Sequence, residues 1–225
     1  MKKIGIIHTD FPAKFGIPRQ SGIVKELKGI ISFEPEHHNM DAFRGIEGYS
    51  HLWILWEFSE HVGKKCPISV KPPRLGGNKR MGVFATRSPF RPNNIGLSCV
   101  RFESVHWDEK EGPLLTVSGV DMMDGTPIYD IKPYVPYADC HPEATGGFAH
   151  EVLDYGLQVE FPQELLSAIP QPKQEAIKAV LAQDPRPAYH DDAERVYGVE
   201  FAGYDVRFRV KGAQLTVCEV VNLAK

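Results

Sequence analysis

Residues 95–120 read Ile95-Gly96-Leu97-Ser98-Cys99-Val100-Arg101-Phe102-Glu103-Ser104-Val105, then a polar passage through Asp108-Glu109-Lys110-Glu111-Gly112, then Leu114-Leu115-Thr116-Val117-Ser118-Gly119-Val120. Two β-type runs joined by a charged, glycine-ended connector predict a long antiparallel hairpin. Further β-type runs flank it. Upstream lie Ile4–His8, Gly22–Phe33 (with a bend at Gly29), Leu52–Phe58, Ile68–Lys71 and Met81–Ala85; downstream lies Pro127–Ile131. Only Asn39–Arg44, stopped by Gly45, reads as a helical turn. Many short strands separated by Gly, Pro and Asn predict an antiparallel barrel or sandwich, and closure into a barrel removes exposed edges. In His51–Phe58, Leu52, Ile54, Trp56 and Phe58 share one face while Trp53 and Leu55 occupy the other. A strand apolar on both faces is expected to be covered on both, by a second layer or by a partner subunit.

Beyond residue 150 the texture changes. Phe161-Pro162-Gln163 opens a short helix, and Pro172–Gln183 predicts a second, with Ala176, Ile177, Val180 and Leu181 in one apolar stripe. Asp184-Pro185-Arg186-Pro187 ends it, and three strand-like runs follow at Val196–Phe201, Tyr204–Val210 and Gln214–Val221. The expected architecture is therefore mainly β: one antiparallel β-barrel domain over residues 1–145 and a small α+β C-terminal domain over 150–225.

The chain has 225 residues, 42% hydrophobic and 24% charged, within the range of ordinary globular proteins. No apolar run approaches the roughly 20 residues of a membrane span, and the opening Ile4-Gly5-Ile6-Ile7 is too short for a secretory signal. A cytoplasmic protein with no membrane partner is expected. Cys66, Cys99, Cys140 and Cys218 are scattered without a CxxC pair, and the histidines show no ligand spacing, so no metal site is expected.

The net charge of −3 hides an asymmetry. From His61 to Phe102 there is no acidic residue, and the segment carries nine of the chain's 26 lysines and arginines. Such a block favours a polyanion, because cations that bind phosphates release condensed counterions; charge alone also fits a solvated basic surface. The block is rich in Pro and Gly, so its cations belong to loops, where binding function concentrates. No GxGxxG turn, phosphate loop, GxSxG elbow or HExxH helix is present. A nucleotide-like cofactor would have to bind without the doubly wound architecture.

Five polar clusters remain: Pro18-Arg19-Gln20; Pro72-Pro73-Arg74-Leu75-Gly76-Gly77-Asn78; Gly82 to Asn93, containing Ala85-Thr86-Arg87-Ser88; Asp121 to Pro127 with Asp130-Ile131-Lys132-Pro133-Tyr134; and Asp184 to Tyr189. In this order, and over essentially the whole chain, they resemble the β-barrel tRNA methyltransferase family that methylates N6 of threonylcarbamoyladenosine beside the anticodon. The resemblance implies S-adenosylmethionine as cofactor, tRNA carrying threonylcarbamoyladenosine as partner, and a homodimer. It places the cofactor against Pro18, Arg19 and Gln20; against Ser59 and Glu60, through their backbone; and against Arg87, Leu97, Ser118, Gly119, Val120 and Asp121. This mixture suits the ligand: ribose hydroxyls want a carboxylate such as Asp121, and the methionine carboxylate wants an arginine or backbone N–H groups. The alternative for Arg19 and Arg87 is a phosphate contact or plain surface charge.

The acceptor nitrogen of that nucleoside is conjugated to a carbonyl and must lose its proton. Asp130 is the candidate base, with Lys132 and Tyr134 beside it, although Asp124-Gly125-Thr126-Pro127 is also good turn chemistry. Arg91, Lys132 or Arg186 could read the threonine carboxylate. Arg186 and Tyr189 are expected on a loop stiffened by Pro185 and Pro187, suited to capturing the substrate; the alternative is that the two prolines merely end the helix and Tyr189 packs on the barrel. The competing readings are a non-catalytic RNA-binding barrel and a methyltransferase with another acceptor.

Overall fold

The computed structural model describes residues 1–72, 79–152, 156–186 and 192–223. The cluster from Pro73 to Asn78 and the loop residues Pro187 and Tyr189 lie outside the described residues.

In chain order the elements are β1 (Gly5–His8), β2 (Lys28–Phe33), β3 (His51–Glu57), β4 (Ser69–Val70), β5 (Met81–Gly82), β6 (Ile95–Asp108), β7 (Gly112–Ser118) and β8 (Thr126–Pro133). There follow α1 (Pro136–Asp139), β9 (Gln158–Glu160), α2 (Gln163–Leu166), α3 (Gln171–Ala182), β10 (Tyr197–Phe201), β11 (Tyr204–Lys211) and β12 (Gln214–Asn222). Six strands close a barrel in the order β1-β2-β7-β6-β3-β8, antiparallel throughout. The 95–120 stretch is its central hairpin, with β6 running on to Asp108 and a bulge between Phe102 and Ser104. Alternation puts Ile7, Ile31, Leu52, Ile54, Val100, Leu115, Val117 and Ile128 inside, all fully or almost fully buried.

Several expected strands are shorter than their apolar runs. The Gly22–Phe33 run is a strand only over β2. Gly22 has φ +77°, and Val24 and Leu27, three residues apart in a turn, both bury into the core. Their spacing matches a turn closed by the Leu27 amide on the Val24 carbonyl, not a period of two. The Met81–Ala85 run gives two strand residues and then a 3-10 turn over Val83–Ala85. The Asn39–Arg44 turn is a 3-10 turn over Met40–Phe43 capped by Asn39, and Gly45 stops it in the left-handed region at φ +88°.

The C-terminal sheet has the order β10-β11-β12-β9. The three-residue β9, unread in the sequence, runs parallel to β12. Helix α3 buries the expected stripe of Ala176, Ile177, Val180 and Leu181. The loop after β1 joins this unit to the barrel. Phe11 meets Phe201 edge-on at 5.3 Å, the Ala202 amide donates to the Asp10 carbonyl, and Lys173 holds the Asp10 carboxylate at 2.6 and 2.8 Å. One continuous apolar core results. Among the described residues no helix is long and apolar enough to cross a membrane.

Candidate functional site

One end of the barrel gathers most of the expected cofactor residues. The loop carrying Pro18, Arg19 and Gln20 crosses it, with Pro18 buried and Arg19 exposed. This loop is clamped to the strand ends by backbone bonds: the Gly22 amide donates to the Gly119 carbonyl, and the Gly119 amide to the Leu27 carbonyl, both at 2.8 Å. Gly119 sits at φ +76°, and a Cβ there would approach the Gly22 Cα within 3.2 Å. Only glycine permits both the dihedral and the approach. The Ser21 hydroxyl also accepts the Cys99 amide at 3.0 Å.

Onto this frame Arg87 swings in from the long β5–β6 connection and donates through Nη1 to Gln20 Oε1. Asp121 follows buried Val120 at the end of β7. Its Oδ1 accepts the Ser98 hydroxyl at 2.6 Å, and that hydroxyl in turn accepts the indole N–H of Trp56 at 2.9 Å. Ser98 is completely buried, and Trp56 is 6% exposed. Trp56 can lie flat across β6 because its register partner is Gly96, where a Cβ would fall 2.2 Å from the indole. Burial pushes the Asp121 carboxyl up to about 6, against the Ser98 hydroxyl, the backbone N–H groups of Asp121 and Ser21, and the charge of Arg87. The arrangement is a carboxylate held by hydrogen-bond donors and within electrostatic reach of Arg87, which is itself paired with Gln20. That is suited to ribose hydroxyls and to the carboxylate of an amino-acid-like ligand. Ser118 is buried, with its hydroxyl donating to Glu103 at 2.6 Å, so its side chain serves the barrel, and the strand position pairs it with Lys28 and Arg101.

A second group lies on the outer face of β3, β6 and β8. The register sets Leu55 opposite Leu97 on one side and opposite Asp130 on the other. Trp53 sits between Cys99 and Lys132 in the same way. Strand alternation therefore brings Leu97, Asp130 and Lys132 onto one surface. Leu97 is 53% exposed. Asp130 pairs with Lys132 at 2.9 Å, and Tyr134 tilts onto Trp53 with ring centres 5.8 Å apart. Trp53 and Leu55 are half-buried, and among the described residues no second layer covers this face.

Other candidates stand apart. Ser59 and Glu60 are exposed on a 3-10 turn, Ser59–His61, anchored by the Phe58 amide on the Asn94 carbonyl at 2.8 Å. Arg91 braces its own loop, donating to the carbonyls of Thr86 and Ser88 at 3.1 and 3.4 Å. The expectation for Arg186 is corrected. It is 8% exposed, its guanidinium grips buried Asp184 at 2.8 and 3.0 Å, and it lies 6.0 Å over the Tyr197 ring. The short helix end folds Arg186 back on Asp184, whose φ is +50°, instead of presenting it. Tyr189 is outside the described residues.

Sequence reading missed Ser98, Trp56 and Ser21. A signal existed for Ser98: it falls between Gly96 and Val100 on the inward face of a strand, and a polar residue there needs a buried partner. It also missed His61, which is buried 4.7 Å from Phe90 and edge-on to it, with no hydrogen-bond partner at Nδ1 among the described residues. Desolvation, then Lys14 and Lys64, holds its imidazole below the ordinary histidine range.

Comparison with known proteins agrees with the geometry. Residues 6–140 match the model of the tRNA-methyltransferase O N-terminal domain, and residues 154–223 that of the TrmO C-terminal domain. The chain is 42% identical over 224 residues to the tRNA (adenine(37)-N6)-methyltransferase of Escherichia coli strain K12, covering 96% of this chain and 95% of that one. The Homo sapiens protein of the same name is 42% identical over 142 residues, 60% of this chain and 30% of its own. The crystal structure of TrmO from Pseudomonas aeruginosa superposes with a TM-score of 0.75 at 35% identity, covering 97% of each chain. With both family domains matched in order on a closed six-stranded barrel and its small C-terminal sheet, the chain belongs to the tRNA-methyltransferase O family.

Proposed function

We propose that this chain transfers a methyl group from S-adenosylmethionine to N6 of the adenosine at position 37 of tRNA, and that the acceptor is threonylcarbamoyladenosine. The observation that carries the reading is the Trp56–Ser98–Asp121 chain ending beside Arg87 and Gln20, in a family whose relatives bear this activity in their names.

S-adenosylmethionine supplies a methyl group already activated on a sulfonium, so the protein's task is alignment and exclusion of water. Asp121, steadied by Ser98, accepts the ribose hydroxyls. Arg87, Arg19, Gln20 and the backbone of Ser118, Gly119 and Val120 hold the polar ends of the cofactor, with the Ser59 and Glu60 backbone at its rim. Leu97 offers apolar surface to the adenine, and Pro18, buried beneath, shapes the loop that meets the cofactor. On the outer face Asp130 receives the proton leaving the acceptor nitrogen, directly or through a water. Lys132 and Arg91 are the cations offered to the threonine carboxylate, and Tyr134 the ring beside it. The barrel over 1–145 carries this chemistry. The 150–225 unit steadies the loop after β1 through the Asp10–Lys173 pair.

The basic 61–102 segment takes the tRNA phosphates. The half-covered Trp53 and Leu55 support a homodimer that covers them and leaves Leu97, Asp130 and Lys132 open to the ligands, and the tRNA substrate supports work in the cytoplasm. The test is to incubate the purified chain with methyl-labelled S-adenosylmethionine and tRNA bearing threonylcarbamoyladenosine, then to analyse the nucleosides by mass spectrometry. One added methyl on the threonylcarbamoyladenosine is expected. Label on another nucleoside would change the acceptor, and no heat of cofactor binding by calorimetry would leave a non-catalytic RNA-binding barrel.

A further inference from the structure

Inside the acid-free segment lie two of the most exposed apolar side chains in the protein: Ile68, 91% exposed, and Phe84, 80% exposed. The backbone brings them together. Ser69 and Val70 pair with Gly82 and Met81 in the β4–β5 ribbon, and the Val83 amide donates to the Ile68 carbonyl at 3.0 Å. The turn that follows is built to hold Phe84 outward. Val83 is its anchor, only 5% exposed, and the Thr86 amide and hydroxyl both close on the Val83 carbonyl, at 3.2 and 2.9 Å. Adjacent residues thus point in opposite senses from a braced turn, and the large ring is the one left in water. Cations stand on and beside the same ribbon. Arg80 is fixed by Nε on the Ser69 hydroxyl at 2.9 Å and by Nη2 on the Ser69 carbonyl, while Lys71, Lys79 and Arg87 are exposed nearby in sequence.

A site for phosphates alone needs no aromatic ring, and a paired RNA stem keeps its base faces stacked inside the helix. An exposed ring among cations fits a polyanion that also offers a bare π-face, namely an unpaired nucleotide. We infer that Phe84 is a stacking platform for an unpaired base of the tRNA anticodon loop, with Arg80, Lys71 and Lys79 taking the phosphates on either side. The inference rests on the tRNA reading above and deepens it. Phe84 stands three residues before Arg87, which reaches the Gln20 loop, so a base stacked there borders the candidate site. Drawing the target adenosine out of the loop removes one stacking neighbour from the adjacent base, and the Phe84 ring replaces that neighbour. Ile68 extends the apolar edge of the platform.

The experiment measures binding of an anticodon stem-loop RNA bearing threonylcarbamoyladenosine by fluorescence anisotropy, using the full chain and its Phe84→Ala, Phe84→Trp and Arg80→Ala variants. Phe84→Ala is expected to weaken binding about tenfold or more, with an unchanged salt slope, and Phe84→Trp to keep wild-type affinity. Arg80→Ala should instead lower the salt slope by about one. S-adenosylmethionine affinity, melting temperature and molar mass by light scattering should stay at wild-type values in all three. Wild-type RNA affinity in Phe84→Ala overturns the platform. A loss of affinity accompanied by a change in molar mass also overturns it and assigns Phe84 to a contact between copies of the chain. If the unsubstituted chain binds cofactor but no stem-loop, the tRNA reading itself has failed, and the platform fails with it.

Discussion

The Ser98 hydroxyl donates to Asp121 Oδ1 at 2.6 Å and accepts the Trp56 indole N–H at 2.9 Å. The serine proton is therefore committed to the carboxylate, because a hydroxyl that accepts from an obligate donor must donate elsewhere. Removing the hydroxyl strands two groups at once. Ser98→Ala should cost roughly 1–3 kcal/mol for the buried indole donor alone. It should also weaken S-adenosylmethionine binding by freeing Asp121. Thermal melts and titration calorimetry check both effects; a variant with unchanged melting temperature and unchanged affinity would refute the link.

Asp121 should make both stability and cofactor binding depend on pH. Its folded carboxyl is raised from 3.8 to about 6, so the folded chain binds this proton more readily than the unfolded chain. The associated stability is fully present below about pH 3.8 and is lost as pH rises through about 6. Asp121→Asn should therefore melt higher than the parent at pH 7.5, with the gap closing toward pH 4. Cofactor affinity of the parent should fall as pH drops below about 6, since protonation removes the acceptor for the ribose hydroxyls. In Asp121→Asn that affinity should be weak and flat with pH.

Arg87 reaches across to the Gln20 side chain from a different loop. Arg87→Ala should weaken S-adenosylmethionine binding at least tenfold, the loss of a charge-assisted hydrogen bond being about 1.5–3 kcal/mol. Stem-loop RNA binding should change much less. Calorimetry and anisotropy on the same preparation separate the two, and the opposite ranking would make Arg87 a phosphate contact.

Arg186 and Asp184 form an ion pair in which both side chains are less than 10% exposed. Arg186→Ala removes the guanidinium from this buried pair, at a cost of about 3–5 kcal/mol and a melting-temperature fall on the order of 10 °C. The Arg186→Ala, Asp184→Ala double variant should recover part of that loss. A stable Arg186→Ala protein with lost methyl transfer would instead return Arg186 to the substrate.

Asp130 lies at the surface with Lys132. If it takes the acceptor proton, Asp130→Asn should lower kcat while leaving S-adenosylmethionine affinity and melting temperature near the parent values. Single-turnover methyl transfer with saturating cofactor measures it, and an unchanged rate would remove Asp130 from the reaction.

The sequence by itself determined the strand-rich first part, the helix at 171–182 and the basic 61–102 block. All three rest on local signals: turn residues, a period of 3.6, and charge. The motif strings pointed to the family for the same reason, since loops that bind carry their residues contiguously. What only tertiary structure decided depends on register. Leu97 and Asp130 are 33 positions apart, yet both flank Leu55 because β3 lies between β6 and β8 in the closed barrel. Ser98 serves Asp121 only because Gly96 lets Trp56 lie across the strand and supply the second bond. Arg186 follows the same rule in reverse. Its local sequence reads as an exposed, proline-stiffened loop, and the fold buries it because Asp184, two residues earlier, accepts both arms of its guanidinium. Strand pairing is a long-range outcome of closing the barrel, and no short window of sequence contains both strands; Arg186 and Asp184 are neighbours in sequence, but whether they are buried is decided by what packs over them.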